Sequence, residues 1–233
     1  MIMTDIFTYE ITNTKEDIKN IVDTINEYGI CVINNYQDVS GLKEDTLKSL
    51  IDVGGDYEFG YNVRLGSPGA YSKYPSMNSY FNNNFFKEIL DSYCKEDKYD
   101  IFNKCIFATK DFKFDGELGR NGFLHFDRLR CFKFFVYLTD VDKNCGPFSI
   151  VPKSHIKGKE LRTSSWNENS DYGGVKNRIK LDFPDIYNEE DIVQILGDEG
   201  TLIMFDTDLF HKGGKTNGKE RLIVRSHTYL KNK

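Results

Sequence analysis

Two histidines and one aspartate in this 233-residue chain have the types and spacing of a metal site: His125 and Asp127, separated by Phe126, and His211 far downstream. On an extended strand, residues two apart leave the same face, so His125 and Asp127 point the same way. With His211 the donor set becomes two imidazoles and one carboxylate. That set takes one face of an octahedron and leaves three positions open, the coordination expected of non-haem Fe(II) oxygenases. Arg221, ten residues after His211, adds a permanently charged planar fork suited to a carboxylate. The pattern points to an enzyme that uses iron, molecular oxygen and a carboxylate-bearing cosubstrate.

Further groups fall near these residues. Arg225, four residues beyond Arg221, shares its strand face and suits the cosubstrate, an anionic substrate or, equally, an outer salt bridge. Arg128, beside Asp127, suits a substrate carboxylate or phosphate or else acidic surface residues, and Arg64, in an irregular stretch, is weighed as a substrate-pocket wall against an ordinary exposed loop. Lys133 and Tyr137 share one face of the strand that follows and are weighed as cosubstrate contacts. His227, six residues after Arg221, faces the same way and reads as a pocket wall rather than a ligand.

The second half of the chain supplies the strands that such a site requires. Ile101 to Thr109 is apolar and extended. From Cys131 to Leu138, Phe132, Phe134, Val136 and Leu138 alternate with Cys131, Lys133, Phe135 and Tyr137. Phe148 to Val151, Thr201 to Phe205, Leu209 to Gly213 and Arg221 to Leu230 read as further strands between turn residues. The first hundred residues are more helical. One helix is predicted from Thr14, a plausible N-cap, to Tyr28, with Ile18, Ile21, Val22 and Ile25 on one face and the strand Ile30–Ile33 after Gly29. A second is predicted after Ser40, with Leu47, Leu50 and Ile51 inward, and a third over Asn82–Tyr93. Helices followed by strands predict a mainly β protein, a sandwich or barrel with helices packed outside. Residues 55–80 and 156–196 read as long polar loops, at least one of them with lid or pocket duty, and Tyr71, Tyr74 and Tyr80 of the first are weighed as pocket wall.

Bulk composition narrows the classes. The length predicts one domain over 1–233, with a helical part to about residue 100 and a barrel core over about 100–230. A formal charge of −5 argues against nucleic acid as the main partner. No run reaches the length of a membrane span, and the N-terminus lacks a basic flank leading into an apolar core, so a cytoplasmic protein acting on a small molecule is expected. The five cysteines are odd in number and contain no CxxC pair, so a disulfide framework or zinc knuckle has no support, and Cys31, Cys105 and Cys131, in apolar strand-like segments, read as small buried hydrophobes.

Several motifs stand in order: His125-Phe126-Asp127; Tyr137-Leu138-Thr139-Asp140-Val141-Asp142; Cys145-Gly146-Pro147-Phe148 through Pro152-Lys153-Ser154-His155; Gly200 to Asp206 leading into His211-Lys212-Gly213-Gly214; and Arg221. Over roughly residues 100–230 this series resembles the phytanoyl-CoA dioxygenase family of Fe(II)/2-oxoglutarate oxygenases. The resemblance implies a double-stranded β-helix, a jelly-roll or cupin-like barrel with iron at its mouth. It implies Fe(II) on His125, Asp127 and His211, and 2-oxoglutarate bound to that iron by its keto acid end. Arg221 would pair with the far carboxylate. Succinate and carbon dioxide would be the coproducts of O2-dependent oxidation. His155 would be a fold-supporting hydrogen bonder. Because Asp127 is retained where related halogenases carry a small residue, hydroxylation is the expected outcome, with desaturation or ring closure as variants. The polar loops lean towards a polar metabolite as substrate. Two other readings stay open: a non-catalytic metal-binding barrel, and a cupin-type metalloenzyme that does not use 2-oxoglutarate.

Overall fold

The computed structural model describes residues 8–9, 15–57, 60–95, 105–112 and 122–230. A two-residue strand, β1 (Thr8–Tyr9), precedes helix α1 (Lys15–Tyr28), which buries Ile21, Val22 and Ile25. The helix closes on Gly29, whose φ of +82° favours glycine and whose N–H donates to the Ile25 carbonyl at 2.8 Å. A methyl group there would also meet Leu209 and His155 at 2.7 and 2.8 Å. Strand β2 (Ile30–Ile33) follows with all four residues buried. The expected cap Thr14 and the strand start at 101–104 lie outside the described residues.

Helix α2 (Ser40–Val53) corrects one expectation. Leu50 is buried, but Leu47 is 37% and Ile51 84% exposed, while Leu42, Thr46 and Ser49 face the core. Residues 55–80 are not a loop. They form the hairpin of β3 (Gly55–Tyr57) and β4 (Gly60–Leu65), then α3 (Pro68–Tyr71) and α4 (Pro75–Phe81). Tyr71, Tyr74 and Tyr80 are therefore core side chains and not pocket wall. Helix α5 (Asn84–Cys94) starts where expected, capped by Asn83, whose side chain accepts the Phe86 N–H at 2.8 Å.

The strands β5 (Cys105–Asp111), β6 (Cys131–Tyr137), β7 (Phe148–Ile150), β8 (Val193–Ile195), β9 (Leu202–Asp206), β10 (His211–Lys212) and β11 (Arg221–Tyr229) complete two sheets. The larger has the order β1-β2-β9-β6-β11-β5-β4-β3 and the smaller β10-β7-β8. Pairing is antiparallel throughout except for β1 with β2. The fold is a double-stranded β-helix with flanking helices.

Strand β6 shows why both faces of its alternating pattern are apolar. Phe132, Phe134 and Val136 pack against the helices, with Phe134 stacked on Phe86 of α5 at 4.1 Å between ring centroids. Phe135 and Tyr137 join Phe148, Ile203 and Phe205 between the two sheets. Covering the larger sheet on both sides buries all seven residues of the strand.

Residues 156–196 are also more ordered than the sequence reading predicts. They carry most of α6 (His155–Ser165), α7 (Ile179–Asp182) and β8. Val175 and Ile179 form a third apolar cluster with Leu124, Phe126 and Phe210, directly behind the His125–Asp127 segment. Among the described residues, no helix is long and apolar enough to cross a membrane.

Candidate metal centre

His125 and His211 are antiparallel bridge partners: His125 N–H donates to the His211 carbonyl at 3.0 Å and His211 N–H to the His125 carbonyl at 2.7 Å. Asp127 N–H donates to the Thr207 carbonyl at 2.9 Å. The segment is held from its other side as well, because Ile179 N–H donates to the Leu124 carbonyl at 2.9 Å and Asn177 Nδ2 to the Phe126 carbonyl at 2.6 Å. Main-chain bonds, with one from the Asn177 side chain, thus set the three side chains side by side.

One ligand atom from each of His125, Asp127 and His211 lies within 4.8 Å of the others. Asp127 Oδ1 is 3.7 Å from His125 Nε2 and 3.5 Å from His211 Nε2. Both imidazoles are oriented by backbone carbonyls: His125 Nδ1 is 2.7 Å from the Phe123 carbonyl, and His211 Nδ1 is 2.7 Å from that of Leu209. A carbonyl oxygen only accepts, so each Nδ1 carries the hydrogen and each Nε2 keeps its lone pair for the shared space. His211 Nε2 is buried and has no hydrogen-bond partner among the described residues. A divalent metal satisfies that orphaned atom, and the donor set fits Fe(II).

The electrostatics keep His125 and Asp127 in their ligating forms. Burial, reinforced by His211 and Lys133, lowers the His125 pKa from 6.5 to about 4, against the opposing pull of Asp127 and the Phe123 carbonyl. Burial on its own would raise the Asp127 carboxyl, but Lys133, His211 and His125 outweigh it and hold the group well below the usual carboxylate range. Lys133 Nζ sits 2.7 Å from Asp127 Oδ2.

A cavity of about 350 Å³ opens beside this cluster, a size suited to a small molecule. His125 and His211 line it, and Arg221, Arg225 and Lys133 contribute its cationic lining. Strand β11 presents Arg221 and Arg225 to the cavity on one face, as the sequence spacing implies. Arg221 is buried and already engaged: Nε and Nη2 donate to Asp111 Oδ2 at 2.9 and 2.5 Å, and Nη1 donates to the Gly146 carbonyl. Arg225 donates to Thr109 Oγ1 at 3.1 Å and lies 5.1 Å above the Phe107 ring.

Other sequence candidates fall elsewhere. Arg128 is corrected as a cavity residue: it bonds Asn177 Oδ1 at 3.2 Å and lines a separate shallow depression with Arg178 and Asp182. Arg64 also stands outside the cavity lining, exposed on β4 with its guanidinium 5.7 Å from the Phe107 ring. Tyr137 does not reach the cavity, since its hydroxyl donates to the Ile195 carbonyl at 2.8 Å and accepts the Phe148 N–H at 3.1 Å. His155 Nε2 is 3.1 Å from the Asn26 carbonyl, joining α6 to α1. His227 is buried against Phe107, with its Nε2 unpartnered among the described residues. Asp111, Asn62 and Thr109 line the cavity and were missed by the sequence reading. Strand alternation on β5 marks Thr109 and Asp111 as sharing a face, but only the pairing register brings Arg221 opposite Asp111.

No curated protein matches the chain in sequence. Its fold is similar to that of prolyl 4-hydroxylase from Phytophthora capsici, with a TM-score of 0.61 and 13% identity over 94% of this chain and 66% of that one. The epimerase SnoN in complex with Fe3+, alpha ketoglutarate and nogalamycin RO gives 0.62 and 11%, over 93% and 84%. HygX from Streptomyces hygroscopicus, with nickel and 2-oxoglutarate bound, gives 0.57 and 16%, over 94% and 87%. At these identities the likeness is one of fold. Sequence carries the assignment further: residues 104–223, which span every motif from β5 to Arg221, match phytanoyl-CoA dioxygenase. The chain belongs to the phytanoyl-CoA dioxygenase family and is a 2-oxoglutarate-dependent oxygenase.

Proposed function

We propose that the chain is a single Fe(II)- and 2-oxoglutarate-dependent oxygenase domain that hydroxylates a small, polar metabolite. His125 Nε2, Asp127 Oδ1 and His211 Nε2 hold the metal. Arg221 anchors the far carboxylate of 2-oxoglutarate, and Arg225 addresses a polar or anionic group of the substrate. The observation that carries this reading is the convergence of the three ligand atoms within 4.8 Å, with both imidazole tautomers fixed by carbonyls. Bound iron supplies the oxidising chemistry that couples decarboxylation of 2-oxoglutarate to oxidation of the substrate with O2. The protein's own contribution is to bind and orient. It keeps the His125 imidazole neutral, holds Asp127 ionised, and presents a cationic cavity wall to two carboxylate-bearing or polar molecules.

Support comes from family membership and from the metal and 2-oxoglutarate held by SnoN and HygX on the same fold. Hydroxylation is favoured because Asp127 fills the carboxylate position that a halide would otherwise need. Under anaerobic conditions, Fe(II) and 2-oxoglutarate together should give a visible charge-transfer band with the wild-type chain. Succinate should then form on admission of oxygen, faster with the true substrate. A folded sample that binds Fe(II) and gives neither band nor succinate overturns the reading.

A further inference from the structure

The two oxygens of Asp127 have different surroundings. Oδ1 faces the imidazoles, at 3.7 and 3.5 Å from their Nε2 atoms. Oδ2 faces strand β6, where Lys133 Nζ approaches to 2.7 Å and the Cys131 thiol to 3.8 Å. Those donors come from residues 131 and 133, one pleat apart on the same side of the strand. Lys133 itself is enclosed. It is 7% exposed, is paired across the sheet with Phe205 and His227, and lies 5.6 Å above the Phe205 ring. Burying an ammonium costs several kcal/mol unless a counter-charge meets it, and an apolar residue would fill this position without that cost. The lysine is therefore placed for what it does to Asp127.

We infer that Lys133 is a positioning residue that reserves Asp127 Oδ2 and so restricts the aspartate to one-oxygen metal binding through Oδ1. This rests on the reading of His125, Asp127 and His211 as metal ligands. A carboxylate with both oxygens available can chelate a metal and take two positions. With Oδ2 engaged by an ammonium it takes one, which preserves three open positions for a two-point cosubstrate and a further ligand. Lys133 also lines the cavity, so its charge lies on the side from which an anionic cosubstrate approaches.

The test compares wild type with Lys133→Met, Lys133→Gln and Lys133→Arg, each loaded with Co(II) and titrated with 2-oxoglutarate without oxygen. Met removes the donor while keeping the length. Gln keeps a neutral donor, and Arg keeps a charged one. In Lys133→Met the visible Co(II) spectrum should change as the aspartate takes a second position, and 2-oxoglutarate affinity should fall about 10- to 100-fold. Lys133→Arg should recover both readouts, with Lys133→Gln between, and the Gln variant carries the comparison should Met not fold. A folded Met or Gln variant with the wild-type Co(II) spectrum and cosubstrate affinity overturns the proposal. Failure of the metal-site reading looks different, because the wild-type chain would then bind no Co(II) through Asp127 and Asp127→Ala would leave the spectrum unchanged.

Discussion

His125 and His211 are joined twice, once through reciprocal backbone hydrogen bonds of 3.0 and 2.7 Å and again through imidazoles whose centroids are 4.5 Å apart. The backbone bonds need no side chain, so the fold brings two Nε2 lone pairs together before any metal arrives. Such preformed convergence makes the site separable from the fold that carries it.

Metal binding should consequently stabilise the wild type and spare a ligand variant. At a free metal concentration about 100-fold above Kd, linkage gives about 2.7 kcal/mol of added stability. Adding Co(II) or anaerobic Fe(II) should raise the wild-type melting temperature, and chelator should reverse the rise. His211→Ala should fold with the same circular dichroism spectrum and show no metal-dependent rise. An equal rise in both would place the metal elsewhere.

Much of this geometry is legible in the sequence because it depends on strand period. The two-residue spacing puts His125 and Asp127 on one face, and the four-residue spacing does the same for Arg221 and Arg225. Less legible is whatever depends on tertiary approach. Asp111 meets Arg221, and Lys133 meets Asp127, only through pairing register and the course of the chain between strands. Helix α2 failed for a local reason. Thr46 and Ser49 satisfy their hydroxyls on the Leu42 and Thr46 carbonyls of their own helix, so they bury cheaply and rotate Leu47 and Ile51 outward. Counting apolar residues alone picks the neighbouring face. The stretches at 55–80 and 156–196 look like loops because polar composition masks short helices and a hairpin.

Acid should destabilise the metal-free protein through its buried histidines. Burial lowers His227 well below 6.5, helped by Lys133 and Arg225, and takes His125 to about 4. The unfolded chain therefore binds protons first as pH falls through 6.5, while the folded chain resists. This stability is complete above 6.5 and is lost towards the folded pKa, at up to about 1.36 kcal/mol per pH unit for each histidine. Urea unfolding in chelator between about pH 7 and 5 measures the slope. His227→Phe should flatten it, and an unchanged slope would mean that His227 is protonated alike in both states.

Arg162 on α6 and Asp208, three residues before His211, form a buried pair with two bonds of 2.7 and 2.9 Å. Arg130 reaches the same turn, donating to Asp206 Oδ2 at 2.7 Å and lying 3.5 Å from Asp208. Arg162→Met removes one partner and leaves a buried carboxylate, which costs about 3–5 kcal/mol. Chemical denaturation should show that loss. Metal affinity should fall with it, because the turn carrying Asp208 leads directly into His211. Retained stability would show that Arg130 compensates.

Arg221 combines two duties that one substitution confuses. Its guanidinium neutralises Asp111, a carboxylate only 1% exposed, and under the proposed function it also anchors the cosubstrate. Arg221→Gln should lower stability by about 3–5 kcal/mol because Asp111 loses that counter-charge. It should also weaken 2-oxoglutarate binding by about 2–5 kcal/mol. Adding Asp111→Asn removes the buried charge, so the double variant should recover most of the stability while remaining deficient in cosubstrate binding. Thermal melts and anaerobic titration of the Fe(II) charge-transfer band read the two quantities independently. Recovery of both in the double variant would reduce Arg221 to a structural counter-ion and move the cosubstrate's anchor to Arg225.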